Sequence, residues 1–220
     1  MNVALIVAGG RGTRINSNVP KQFIKVNDKE MLCYTIECFQ SCEDIDAVLI
    51  VTLKDYLAKT KELVKGYNKV INVVIGGNTR QDSVRNGLNS LNIKPDDTVL
   101  IHDGDRPFVT QHEIKSLVDV MKESDNAVLA IKEEDNDADD TSKSGRVAFY
   151  DGVKYCIQTP QCFKYGIIKE LHNRLNNSQV TDDASLFDLF NRKVNIVKGE
   201  KTNIKVTTDA DLKYFVNKVK

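Results

Sequence analysis

The sequence predicts an α/β fold in which helices cover both faces of a mostly parallel sheet. Three observations support this prediction. Apolar runs typical of buried parallel strands alternate with helical patterns over residues 1–131. Glycine-rich or polar segments follow several of these runs directly, and ligands of parallel sheets gather at the carboxyl ends of the strands. The 220 residues are also enough for one domain with a substantial core.

Apolar runs and helical spacing predict the individual elements. The expected strands are Val3–Val7, Ala47–Val51, Val70–Ile75, Thr98–Ile101, Ala127–Ile131 and Val194–Val197. The expected helices are Glu30–Gln40, Asp55–Lys65, Arg80–Leu91, Glu113–Glu123, Tyr165–Leu175 and Asp183–Phe190. A final helix carries an apolar stripe of Leu212, Phe215, Val216 and Val219. Thr208, three residues before Asp211, is predicted to cap this helix.

A charged segment interrupts the alternation. Residues 132–145 have no apolar period, so we expect a solvated loop there. Arg146–Gln158 alternates in part between apolar and polar residues, which favours strands. The sequence shows no repeat and no linker, so residues 1–220 are predicted to form a single domain.

Composition excludes several classes of protein. Basic and acidic residues balance at 31 each, which argues against a nucleic-acid or membrane-surface partner. No apolar run approaches the roughly 20 residues that span a bilayer, and the amino terminus lacks the charged region of a signal peptide. The cysteines fit no zinc spacing and are expected to be reduced, mostly buried thiols; they are Cys33, Cys38, Cys42, Cys156 and Cys162. We therefore expect a cytoplasmic protein.

The segment after the first predicted strand indicates a nucleotide site. Its glycines let the backbone approach a ligand and offer N–H groups to anions, and its two arginines suit phosphate oxygens. The expected nucleotide-binding residues of this turn are Ala8, Gly9, Gly10, Gly12 and Thr13. Arg14 and Lys21 are the candidate cations for a triphosphate, and the alternative is that both are solvated surface charges. The turn lacks the Gly-Lys-Ser/Thr end of a P-loop and the third glycine of a dinucleotide site.

LIVAGGRGTR, with the PKQF that follows it, resembles the signature of the sugar-nucleotide pyrophosphorylase superfamily. The cytidylyltransferase branch fits best, meaning the 2-C-methyl-D-erythritol 4-phosphate and ribitol-5-phosphate cytidylyltransferases. This resemblance implies a Rossmann-like, GT-A-like nucleotidyltransferase domain that transfers CMP from CTP to a polyol phosphate with Mg²⁺. It also implies a homodimer built through an arm, here residues 133–157.

Further segments extend the resemblance and imply residue roles. GGNTRQDS matches a turn that reads cytosine, which implies base contacts from Gly77, Asn78 and Ser83. HDGDRP matches a segment in which Asp103 lies near the metal and the acceptor and Arg106 binds the acceptor phosphate. His102 is expected to be structural. Asp105 departs from the usual small residue and is expected to bring a negative charge beside the acceptor.

The carboxyl-terminal part of the chain supplies the remaining matches. Thr159 of TPQ and Thr181 of TDDAS are implied acceptor contacts, and Thr181 has the alternative of capping the next helix. Lys205 of NIKVT is implied to reach the α-phosphate, and the alternative is a surface lysine. Arg14, Lys21 and Lys205 are thus the candidate catalytic residues.

The arm departs from the family pattern. Asp151 stands where the resembled enzymes carry an arginine that crosses the dimer to the acceptor phosphate. We expect Arg146, Lys143 or Lys154 to replace that charge, and the alternative is that the acceptor differs from methylerythritol phosphate. Methylerythritol phosphate is the first expected acceptor and ribitol 5-phosphate, or another polyol phosphate of a surface polymer, the second. A catalytically idle nucleotide-binding subunit and a dehydrogenase are the alternatives from other classes.

Overall fold

The computed structural model of the chain describes residues 1–12, 14–15, 17–133, 145–175 and 180–220. Its centre is an eight-stranded sheet, and a two-stranded sheet lies beside it. The strands are β1 (Asn2–Ala8), β2 (Lys25–Val26), β3 (Lys29–Glu30), β4 (Ala47–Thr52), β5 (Val70–Ile75), β6 (Thr98–Asp103), β7 (Asn126–Lys132), β8 (Val147–Tyr150), β9 (Val153–Lys164) and β10 (Ile196–Lys198). The helices are α1 (Met31–Gln40), α2 (Leu57–Leu63), α3 (Arg80–Ser90), α4 (Gln111–Val120), α5 (Tyr165–Arg174), α6 (Ala184–Leu189) and α7 (Asp209–Lys218).

The main sheet runs in the order β10-β7-β9-β6-β1-β4-β5, and β8 pairs with β9. β1 is parallel to both β4 and β6, β4 is parallel to β5, and β10 is parallel to β7. β9 is antiparallel to β6, β7 and β8. The predicted mostly parallel sheet is therefore confirmed, with one long strand inserted against its direction.

Helices cover both faces of this sheet because its central strands are apolar on both sides. In β1, Val3 and Leu5 belong to the core under α3, α5 and α6, whereas Ala4 and Ile6 belong to the core under α1, α2 and α4. Successive side chains of a strand point to opposite faces, so one continuous apolar run fills both cores.

α7 closes a third, smaller core beside the turn that follows β1. Phe215 is fully buried there, against Ile15 and Val206. Thr208 and Asp211 form the predicted reciprocal cap at the amino end of α7. The last helix thereby fixes the end of the chain next to the glycine turn.

Two predicted elements differ from the structure. β9 does not end at Gln158 but continues through Thr159–Gln161 to Lys164, because it pairs with β6 and β7 on its two sides. The helix predicted from Asp55 begins as a 3₁₀ turn over Lys54–Tyr56 and becomes α-helical only at Leu57.

The cysteine prediction holds. Burial is complete or nearly so for Cys33, Cys42, Cys156 and Cys162, and Cys38 is half-buried. Burial raises the pKa of Cys38 to about 12, so this thiol stays protonated at neutral pH.

Candidate active site

Gln22 holds the glycine turn at the end of β1. Its side-chain amide donates to the carbonyls of Ala8 at 2.9 Å and Gly10 at 2.6 Å. Gly12 has a φ of +65°, and a Cβ there would stand 2.8 Å from Cγ of Lys21. Only glycine permits both this backbone conformation and this close approach. The turn is therefore packed directly on the stem of Lys21.

A second glycine turn faces the first one across Ser83. The Ser83 hydroxyl accepts from the Gly77 N–H at 3.1 Å and donates to the Thr79 carbonyl at 2.9 Å. A Cβ on Gly76 would lie 2.6 Å from Oγ of Ser83, so this position also requires glycine. Thr79 caps α3 through a reciprocal hydrogen-bond pair with Asp82. The turn is thus fixed at the amino end of α3.

Asp103, the last residue of β6, is surrounded by cations. Its two carboxylate oxygens accept from Nε of Arg80 at 3.0 Å and from Nζ of Lys205 at 2.8 Å, and Nε of Arg106 lies 3.7 Å away. Burial alone would raise the pKa of Asp103, but the charges of Lys205, Arg80 and Arg106 hold this pKa well below its usual range. Asp103 is therefore an ionised carboxylate that orders three cations around it.

His102 fixes the backbone beneath this cluster. Its Nε2 donates to the Arg106 carbonyl at 3.0 Å, and its Nδ1 accepts from the Thr159 hydroxyl at 3.0 Å. The same hydroxyl accepts from the Asp103 N–H at 3.1 Å. Burial lowers the pKa of His102 to about 4. A proton on Nδ1 would also face the hydroxyl hydrogen that Thr159 directs at this nitrogen. This neutral, fully buried arrangement agrees with the structural role expected for His102, which stays a prediction.

Asn203 fastens the carboxyl-terminal segment to the same place. Its backbone carbonyl accepts from Arg106 at 2.8 Å, and its side-chain amide donates to the Thr159 carbonyl at 3.0 Å. These bonds position the segment so that Lys205, two residues further on, contacts Asp103.

Two cavities meet at the Asp103 cluster. The larger, of about 730 Å³, is lined by both glycine turns and by Lys21. The smaller, of about 390 Å³, is lined by Arg106, Thr159 and Thr181. Five residues line both cavities, and they are Arg14, Arg80, Asp103, Lys205 and Thr207. A cationic border thus separates a nucleotide-sized space from a smaller one.

Comparison with known proteins agrees with this geometry. The family model "IspD: 2-C-methyl-D-erythritol 4-phosphate cytidylyltransferase" matches residues 2–216. The chain belongs to this family. The predicted family and the predicted cytidylyltransferase class are thereby confirmed.

Named relatives match over nearly the whole chain. The 2-C-methyl-D-erythritol 4-phosphate cytidylyltransferase of Clostridium perfringens (strain SM101 / Type A) is 39% identical, with 96% of this chain and 95% of the relative covered. The protein of the same name from Clostridium botulinum (strain Langeland / NCTC 10281 / Type F) is 37% identical, with 96% and 94% covered.

Solved structures show the same fold. The 4-diphosphocytidyl-2C-methyl-D-erythritol synthase of Anaerococcus prevotii DSM 20548 superimposes with a TM-score of 0.80 at 28% identity, over 99% of this chain and 97% of that one. The 2-C-methyl-D-erythritol 4-phosphate cytidylyltransferase of Francisella tularensis superimposes with a TM-score of 0.77 at 27% identity, over 97% of each chain.

The structure brings most of the predicted IspD site residues together, although their roles stay predictions. Gly9, Gly10, Gly12, Gly77, Asn78 and Ser83 line the larger cavity. Ala8 is buried in the core below the turn and contributes its carbonyl to Gln22. Thr13 lies outside the described residues. The hydroxyl of Ser83 and the N–H of Gly77 already bond to each other, so the described turn uses for itself two groups that the sequence assigned to the base.

The structure contradicts the alternative cap role of Thr181, and it shows where the Asp105 carboxylate lies. Thr181 does not cap α6, because the cap position is Asp183 and the Ser185 N–H bonds instead to Asp182 at 2.9 Å. Asp105 does not line the smaller cavity. It lines the larger one, where its carboxylate pairs with Lys21.

Arg80 is the site residue that sequence reasoning missed. Besides Asp103, it bonds to Oδ2 of Asp183 at 2.8 Å, and Oδ1 of Asp183 accepts from His172 at 2.9 Å. Burial raises the pKa of Asp183, but Arg80 and the His172 hydrogen bond bring it below its usual value. Arg80 could have been found only as the arginine inside the matched GGNTRQDS segment, since both of its partners lie on distant elements.

The described carboxyl-terminal part of the arm is a tight hairpin of β8 and β9. Asp151 and Gly152 form its turn with φ of 51° and 76°, and Asp151 lines neither cavity of its own chain. Arg146 does line the smaller cavity, where it bonds to Asp182 at 3.1 Å.

Of the two lysines proposed beside Arg146, only Lys154 lies in the described part of the chain. Lys154 pairs with Glu133 at 2.5 Å and lines neither cavity. Lys143 lies outside the described residues.

A search for membrane spans gave a negative result. Among the residues that the structure describes, no helix has the length and apolar character needed to cross a bilayer.

Proposed function

We propose that this chain transfers CMP from CTP to 2-C-methyl-D-erythritol 4-phosphate and releases pyrophosphate. The observation that carries the proposal is the cationic border shared by the two cavities. A CTP in the larger cavity and a polyol phosphate in the smaller would bring the reacting phosphates together at that border. The names of the relatives supply the identity of the acceptor.

The reaction asks for positioning and charge stabilisation, with no covalent intermediate. An oxygen of the acceptor phosphate attacks the α-phosphorus of CTP, and the bond from that phosphorus to the bridging oxygen of the β-phosphate breaks. Negative charge grows on the phosphoryl oxygens meanwhile. Arg14 and Lys205 line both cavities and are assigned to that charge, and Lys21 is assigned to the triphosphate. The ion pair between Lys205 and Asp103 holds the lysine at the border.

Groups in the smaller cavity are assigned to the acceptor. Arg106 and Thr159 line this cavity although each residue is only 3% exposed, and Thr181 is an exposed lining residue. Asp103, which lines both cavities, is assigned to accept from a hydroxyl of the polyol.

Mg²⁺ is proposed as the cofactor. The described residues contain no cluster of three or more His, Cys, Asp or Glu side chains that would form a cage for a metal ion. The described residues fit the usual binding mode of Mg²⁺, in which one or two carboxylates hold the ion together with substrate phosphates. Asp103 is ionised and lines both cavities, so it is the carboxylate that would hold the ion. When bound, the ion neutralises charge on the phosphate oxygens.

The functional assembly is proposed to be a cytoplasmic homodimer formed through the arm. Val147 and Phe149 on β8 are 45% and 68% exposed, which is costly for apolar side chains unless another surface covers them. Phe149→Asp should therefore shift the protein from dimer to monomer in analytical ultracentrifugation. Ile71→Asp is the matched control, because Ile71 is 56% exposed on the edge strand β5, which pairs with neither β8 nor β9. A monomeric wild-type protein would contradict the dimer.

The catalytic proposal is tested by pyrophosphate release from CTP with a panel of acceptors. We expect 2-C-methyl-D-erythritol 4-phosphate to give the highest kcat/KM, ahead of ribitol 5-phosphate and other polyol phosphates. A higher kcat/KM with ribitol 5-phosphate would instead identify ribitol 5-phosphate as the acceptor. No release with any acceptor would support an idle nucleotide-binding subunit.

A further inference from the structure

Lys21 and Asp105 form a buried ion pair on the wall of the larger cavity. Each residue is only 7% exposed, and the ammonium touches Oδ2 of the carboxylate. Oδ1 of Asp105 is also buried and has no hydrogen-bond partner in the described part of the chain. The sequence pattern of the family gave no reason for a carboxylate here.

The pair belongs to a closed set of contacts that joins three segments. Nζ of Lys21 donates to the Val206 carbonyl at 2.9 Å, and the Val206 N–H donates to the Asp105 carbonyl at 2.9 Å. Gly12 packs on the Lys21 stem. The ammonium is therefore fixed between the glycine turn, the end of β6 and the carboxyl-terminal segment.

Asp105 also changes the charge that a polyphosphate meets. A cation whose charge is compensated by a carboxylate in contact attracts an anion less than an isolated cation does. An anion that reaches Lys21 must loosen the ammonium from Asp105 or tolerate the negative charge behind it. Both effects weaken anion binding, while the contact itself fixes the direction of the ammonium.

We propose that Asp105 is a positioning residue for Lys21, which holds the ammonium at the Val206 carbonyl and neutralises it until a polyphosphate enters the larger cavity. This inference rests on the proposed function, in which Lys21 contacts the triphosphate. Asp105 thereby lowers the affinity for the nucleotide and for the pyrophosphate product, while it fixes the orientation of the Lys21 ammonium.

The test measures binding of inorganic pyrophosphate by isothermal titration calorimetry, together with the kinetics of CTP. Asp105→Asn removes the charge but keeps an oxygen that accepts from the ammonium. It should tighten pyrophosphate binding about tenfold and lower the KM for CTP, because the Lys21 ammonium is then no longer compensated by a carboxylate in contact with it. Asp105→Ala should tighten binding similarly but lower kcat at least about tenfold, because the ammonium is no longer held in place. Rescue of kcat by Asn is the readout that a purely structural role would not give.

A double variant shows whether Asp105 acts through Lys21. In a Lys21→Ala background, Asp105→Asn should tighten pyrophosphate binding by less than about threefold, since no ammonium remains to be released. Asp55→Asn is the matched control. Asp55 lines the same cavity, but its side chain is 71% exposed and pairs only loosely with Arg11, so its removal should change affinity less than about twofold.

The possible failures are distinct. If Lys21→Ala weakens pyrophosphate binding but Asp105→Asn does not tighten it, the role of Asp105 is overturned and the proposed function stands. Equal tightening by Asp105→Asn with and without Lys21 also overturns it, because the carboxylate would then act by its own field. If Lys21→Ala leaves pyrophosphate binding unchanged, the assignment of Lys21 to the triphosphate fails, and this inference fails with it.

Discussion

Replacing Arg80 by Met should destabilise the fold by about 3 kcal/mol at neutral pH. Arg80 bonds to Asp103 and Asp183, whose side chains are 9% and 1% exposed. Removing one partner of a buried ion pair costs roughly 3–5 kcal/mol, because a buried charge remains uncompensated. Asp103 keeps Lys205 and Asp183 keeps His172, which places the cost at the lower end of that range. Such a loss is a large part of the ~5–15 kcal/mol that typically stabilises a domain.

The matched control lies on the same helix. Arg85 pairs with Asp82, but both side chains are about a third exposed, so Arg85→Met should cost less than about 1 kcal/mol. Urea denaturation of both variants at neutral pH gives the two free energies of unfolding. Equal losses in Arg80→Met and Arg85→Met would refute the claim that Arg80 holds a buried charge cluster.

The pH dependence of the same difference supplies a second check. The folded-state pKa values of Asp103 and Asp183 lie below their usual value of roughly 3.9. The stabilisation from their cations is therefore complete above about pH 4 and is lost as the pH falls through the lower folded-state values. The gap in unfolding free energy between Arg80→Met and wild type should shrink in acid. A gap that stays constant down to about pH 2 would contradict this sign.

Three further predictions concern the proposed site. Arg14→Ala and Lys21→Ala should each lower turnover by about 10²–10³, the usual cost of removing a preorganised charge donor, and near-normal turnover in both would remove them from the triphosphate site. CTP with Mg²⁺ should raise the unfolding temperature more than ATP, GTP or UTP, since a wrong base would lose the base-specific contacts assigned to the Gly77–Ser83 turn; equal shifts would exclude base reading there. Arg146→Ala should raise the acceptor KM and leave CTP binding unchanged, whereas Lys154→Ala should change neither; an unaltered acceptor KM in Arg146→Ala would exclude the arm base from the acceptor cavity.

Local patterns made much of the fold predictable. The parallel strands at the centre of the main sheet are short apolar runs, and a run such as Val3–Val7 fills two cores by simple alternation. The cap at Thr208 and the burial of Phe215 also follow from spacing within one helix. In the site, the glycine turns were recognisable because their conformations and close contacts demand glycine.

Long-range pairing was not predictable in the same way. Asp105 looked like a charge beside the acceptor, because nothing near it in sequence indicated that Lys21 would reach it. Arg80 is 103 positions from Asp183, and no periodicity links them. Thr181 had the residue type and spacing of a cap, but Asp182 satisfies the helix end instead. These residues take their roles from packing between elements, which a single sequence does not encode locally.

Phosphorus NMR of one reaction mixture tests the central claim most directly. Purified protein is mixed with CTP, MgCl₂ and 2-C-methyl-D-erythritol 4-phosphate, and the phosphorus signals are followed over time. The account predicts that the acceptor's phosphomonoester signal disappears while equal amounts of inorganic pyrophosphate and of a new diphosphate diester appear. Formation of CMP and pyrophosphate with the phosphomonoester intact, or no reaction at all, would contradict transfer to the acceptor phosphate.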